Sequence, residues 1–182
     1  MGLWSVLTFL LSYLGSVIGV AHPDKVLPML LGGGALLAIP ASLWGIRLAD
    51  RYGTVEVVKA TSWIMAAAVT GYALMALRPN LYFVAPLVLV FAAASGAYQA
   101  VDWALALKVL PSRANAGKDM GIWHIAMVLP QIIGPFGTGW IISSARQLVS
   151  VSFGYIVAFS LAAIWFTLAA LFVGRVKFTA SC

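Results

Sequence analysis

The chain has 182 residues, of which 63% are apolar and 9% charged. A soluble domain carries about 25% charged residues, and a chain this short leaves much of its surface in water, so a soluble enzyme is excluded, as is a disordered chain, which needs low hydrophobicity and high charge. The net charge of +6 does not point to nucleic acid, because the eleven Lys and Arg residues stand singly between apolar runs with no basic stripe.

A helix crossing the hydrocarbon core takes about 20 apolar residues, and six segments meet this, at about 3–20, 26–47, 55–77, 81–107, 119–145 and 149–174. The expected fold is therefore an all-α membrane protein, one six-helix domain over 1–182. The first helix carries a lone polar cluster, Ser12, Tyr13 and Ser16. Tyr13 is a candidate to hydrogen-bond a solute, and bonding between helices is an equal alternative. Ala21 to Lys25 breaks the chain before the second helix, which holds Pro28, Gly32-Gly33-Gly34 and Pro40. Between the second and third helices runs Gly45-Ile46-Arg47-Leu48-Ala49-Asp50-Arg51-Tyr52-Gly53. Gly53 can take positive φ and reverse the chain, and Asp50 can pair with Arg51 or Arg47 or accept from a helix N-terminus.

Arg78-Pro79-Asn80 turns the chain into the fourth helix, where Ser95, Gln99 and Asp102 share one face by their spacing. Lys108 to Asp119, with Pro111 and Asn115, is the longest polar loop. In the fifth helix Met120, His124, Met127 and Gln131 share a face by the same rule, and Pro130, Gly134-Pro135, Gly137 and Gly139 follow. Asp102 lies six residues before Lys108, roughly 9 Å inside the helix end at 1.5 Å per residue, and His124 is at about the same depth. A carboxylate beside an imidazole is a plausible proton-handling pair; Asp102 can equally anchor to Lys108, Arg113 or Lys118. Trp103 and Trp123 are candidates to stack on a solute ring, or are packing residues. The sixth helix offers a solute little beyond Ser152, Tyr155, Ser160 and Thr167.

The second and fifth helices are the middle members of two triplets. Helices interrupted by Gly and Pro at matching positions are the sequence pointer to inverted repeats in a transporter, and close packing through small residues is the alternative. Helices one, two, four and five are expected to turn polar stripes toward a shared space, with three and six more peripheral. Arg47, Arg51, Lys59, Lys108, Arg113, Lys118, Arg175 and Lys177 fall on one side, and Lys25, Arg78 and Arg146 on the other. Eight against three places both termini in the cytoplasm. The N-terminal run has no A-x-A-like cleavage site, so no cleaved leader is expected.

Leu48-Ala49-Asp50-Arg51-Tyr52-Gly53 resembles the loop signature between the second and third helices of each half of the major facilitator superfamily. Tyr98-Gln99-Ala100-Val101-Asp102-Trp103-Ala104-Leu105, Val109-Leu110-Pro111, Gly117-Lys118-Asp119-Met120-Gly121-Ile122-Trp123 and Leu129-Pro130-Gln131 resemble helices ten and eleven of its sucrose and glycoside–pentoside–hexuronide type permeases. The resemblance covers nearly the whole chain as a C-terminal half. It implies six spans in two inverted three-helix repeats and secondary transport of a small polar solute, with a sugar as the candidate, coupled to an ion. It implies a substrate contact from Tyr13 and gating at Asp50, Arg51 and Gly53; the helix faces read above add substrate contacts from Gln99, Trp103, Trp123 and Gln131 and ion coupling at Asp102 and His124. The expected partners are membrane lipid, the solute and a second six-helix half, from a separate chain or a homodimer, in the cell membrane. The rival is a non-transporting accessory membrane protein. No enzyme motif is present: there is no H-E-x-x-H, no G-x-S-x-G and no phosphate loop. No cofactor or metal is expected, since His22, His124 and scattered carboxylates do not make a ligand set, and the single Cys182 allows no internal disulfide.

Overall fold

The computed structural model describes residues 2–109 and 116–175. Leu110, Pro111, Arg113, Asn115, Lys177 and Cys182, on which part of the loop and orientation expectations rest, lie outside the described residues. Six helices follow in order: α1 Gly2–Ser16, α2 Pro23–Tyr52, α3 Thr54–Met75, α4 Leu81–Val109, α5 Ala116–Leu148 and α6 Val151–Val173. Five of them, α2 to α6, are long and apolar enough to cross a membrane. These are the helices of a multi-pass membrane protein.

Two boundaries differ from the sequence expectation, each for a local reason. The first helix stops at Ser16 rather than continuing to residue 20, because Gly19 turns the chain at φ +78°. At 15 residues α1 is roughly 22 Å long, short of a hydrocarbon core of about 30 Å. The second helix runs past Arg47 to Tyr52, so Arg47, Asp50 and Arg51 are helical and Gly53 alone separates α2 from α3. Gly53 sits at φ +96°, the reversal its position requires, and its N–H closes on the Ala49 carbonyl at 3.0 Å. At the two other turns side chains cap the helix starts. Asn80 Oδ1 accepts from the Tyr82 N–H at 2.9 Å, and Ser150 Oγ accepts from the Phe153 N–H at 3.1 Å.

The core sits where α1, α3 and α6 meet. Tyr13, Tyr72 and Phe159 are fully buried there, with Tyr13 edge-on to Phe159 at 5.0 Å between ring centres. Thus α3 and α6 are central rather than peripheral. In α3, 56% of an apolar 18-residue stretch is buried, against 6% in α5 and 11% in α2. The sequence pattern misplaces them because a helix buried by other helices and one facing lipid are apolar alike.

Small residues bring α2 and α4 together. A Cβ placed on Gly34 meets the Ala92 Cβ at 2.6 Å, and one on Gly96 meets the Ala38 Cβ at 2.7 Å. Gly34 and Ala38 on one helix, and Ala92 and Gly96 on the other, are each four apart, the spacing of close-packed membrane helices. The pairs advance in step, so the two helices run parallel. Across the bundle α1 and α5 meet at Phe9 and Gly139, and the Thr138 hydroxyl donates to Ser5 Oγ at 2.9 Å. Three packing pairs correspond: α2 lies on α4 as α5 lies on α1, α3 on α4 as α6 on α1, and α2 on α3 as α5 on α6, whereas among the described residues the packing of α1 on α2 has no like counterpart between α4 and α5. Both α2 and α5 are continuous helices through their prolines, so the Gly and Pro residues interrupt neither.

Candidate functional site

The polar face predicted on α4 and the one predicted on α5 meet at a single cavity of about 630 Å³. From α4 come Tyr98, Gln99, Asp102 and Trp103, and from α5 come Met127, Pro130 and Gln131. The start of α1, at Trp4, and the later half of α6, at Trp165 and Phe166, form the opposing wall, over a floor at Met65 of α3. A Cβ on Gly2 would lie 2.9 Å from the Phe166 ring, so α1 and α6 close that side tightly. The cavity therefore lies toward the end of the bundle where α1, α3 and α5 begin and α4 and α6 end.

The i, i+4, i+7 reading holds in part. Gln99 and Asp102 line the cavity, whereas Ser95 turns back and donates to the Ala92 carbonyl at 2.9 Å. Gln99 Nε2 reaches the Ser95 carbonyl at 3.4 Å, and Asp102 is half-buried. On α5, Met127 and Gln131 line the cavity; Met120 and His124 do not. The Trp103 and Trp123 rings pack edge-on with centres 4.5 Å apart. This contact clamps α4 to α5 at the cavity and leaves Trp103 in its wall.

Four predicted residues, His124, Asp50, Arg51 and Tyr13, stand elsewhere. Among the described residues no ion pair joins Asp102 to His124; His124 is exposed, one position beyond Trp123. Asp50 is exposed and pairs with neither Arg47 nor Arg51, the one described ion pair being Lys59 with Glu56 at 3.1 Å. Arg51 instead lies over the Tyr52 ring at 5.4 Å. Tyr13 is in the core, not the cavity. Its hydroxyl donates to the Tyr72 carbonyl at 2.7 Å, bonding α1 to α3 as the alternative reading had it. Tyr13→Phe is accordingly expected to cost about 1 kcal/mol of stability and to leave solute affinity unchanged. Thermal unfolding and a binding titration of the purified variant check this, and a tenfold loss of affinity at wild-type stability restores Tyr13 to the site.

Sequence reasoning expected α1 at the cavity through Tyr13 and not Trp4, expected α2, which lines none of it, and left out α6. Trp4 and Trp165 face the cavity, but a Trp in an apolar run carries no mark separating cavity from lipid. A second and larger cavity, about 720 Å³, lies between α2, α3 and α4. Its walls are Ala41, Gly45, Leu48, Ile64 and Ala97, and the Thr61 hydroxyl within it is already donated to the Val57 carbonyl. Tyr52 and Glu56, the latter paired with Lys59, also line it, but the rest is apolar, so the smaller cavity, which brings Gln99, Asp102 and Gln131 together, is the candidate site. No group of three or more His, Cys, Asp and Glu stands together among the described residues. Comparison with protein-family models, with curated proteins and with solved structures found no match.

Proposed function

We propose that the chain is one six-helix half of a transporter of the major facilitator type, moving a small polar solute by ion-coupled alternating access. The observation that carries this reading is the cavity itself: Gln99, Asp102 and Gln131, from the consecutive helices α4 and α5, converge on one space large enough for a solute. A carboxylate placed inside a membrane is costly and marks a functional site by default. The corresponding packing pairs support two three-helix repeats, and since three successive helices alternate in direction the second repeat is inverted. Both termini and the mouth of the cavity face the cytoplasm, following the Lys and Arg count. A second six-helix bundle, either another chain or a second copy, covers the exposed apolar faces of α2 and α5. Rocking of the two bundles opens the site to each side in turn. The sugar assignment is carried by the resemblance alone.

Uptake into proteoliposomes of the chain, across a panel of radiolabelled sugars and organic ions, tests this. Saturable uptake of at least one solute above protein-free liposomes is expected. Uptake that is absent or linear in concentration for the whole panel favours the accessory membrane protein.

A further inference from the structure

We infer that the cavity takes organic cations, protonated amines with an apolar or aromatic body, rather than neutral sugars; this rests on the reading of the cavity as a solute site. Its described lining holds one charged side chain, Asp102, and neither Lys nor Arg. The backbone adds to the same sign. Pro130 has no N–H to give the Ala126 carbonyl, and Pro135 has none for the Gln131 carbonyl, so two carbonyls of α5 lose their helical donors. Ala126, Pro130 and Gln131 all line the cavity. The indoles of Trp4, Trp103 and Trp165 complete the wall, and aromatic faces attract cations, most of all when water is excluded. A carboxylate, freed carbonyls and aromatic faces together draw a positive charge, and a neutral polyol gains nothing from that field.

Isothermal titration of the detergent-purified chain with 2-phenylethylammonium, the nearly isosteric neutral 2-phenylethanol, and sucrose tests the inference. The ammonium should bind about tenfold or more tighter than the alcohol, Asp102→Asn should bring the two within about twofold, and Asp102→Glu should restore the preference. Should Asp102→Asn fail to run as a single species on size exclusion, Trp165→Leu provides the second variant, weakening the ammonium more than the alcohol. Equal affinity for ammonium and alcohol in the wild-type chain overturns the inference. Sucrose binding with the ammonium silent overturns it too, yet keeps the solute site. Silence from all three ligands removes both the cation preference and the solute site.

Discussion

Asp102→Asn is expected to abolish concentrative uptake in proteoliposomes while leaving counterflow exchange partly intact. Asparagine keeps the shape of the carboxylate and much of its hydrogen bonding, so a solute still binds and exchanges. It cannot hold the charge that a coupling ion neutralises. An ionised Asp deep in a membrane helix costs about 2.5–3.5 kcal/mol on insertion scales, and here it is half-buried in the wall of a cavity that also takes Gln99 and Gln131. Exposed His124 shares no ion pair with it, so the coupling role falls on Asp102 first. Normal accumulation by Asp102→Asn makes the residue an anchor for the neighbouring loop instead.

The largest effect on stability is expected from Gly96→Leu. A Cβ at residue 96 falls 2.7 Å from the Ala38 Cβ and 3.0 Å from both its Cα and its carbonyl oxygen. Backbone cannot step aside as a side chain tip can, so α2 and α4 must separate along their length. The cost lies at or above the upper end of the overpacking range, about 3 kcal/mol. Gly32→Leu is the control: a Cβ there meets nothing within 4 Å, and leucine favours helix over glycine by nearly 1 kcal/mol. Thermal unfolding in detergent, followed by size exclusion, should show a large drop for Gly96→Leu and none for Gly32→Leu. Equal effects would mean that α2 and α4 do not pack through small residues.

Several features of the molecule are legible in the residues because each has a local cause. The count of six helices follows from the apolar runs, although α1 falls short of a span; the turn at Gly53 follows from the chain reversal it must make, and the shared cavity of Gln99 and Gln131 from two faces read by helical spacing. Other features depend on what lies beside a helix, which spacing does not carry. The prolines at 28, 40, 130 and 135 look like breaks, yet α2 and α5 run on through them. Arg47, Asp50 and Arg51 look like loop because they are charged, but a helix can extend beyond the hydrocarbon with no apolar face. Tyr13 looks like a ligand because it is polar within an apolar run, and its hydroxyl finds a backbone carbonyl of α3 instead. The burial of α3 and α6 is hidden because lipid and protein ask for the same side chains.

The most direct measurement is thiol accessibility at Gln99. With Cys182, the chain's single cysteine, replaced by serine, Gln99→Cys is treated with a membrane-impermeant maleimide in inside-out and right-side-out vesicles, beside Ile132→Cys, whose native side chain is 65% exposed on α5 outside the cavity lining. A water-filled cavity open to the cytoplasm predicts rapid labelling of Gln99→Cys in inside-out vesicles alone and none of Ile132→Cys. Labelling of neither, or labelling of Gln99→Cys from the outer face only, contradicts it.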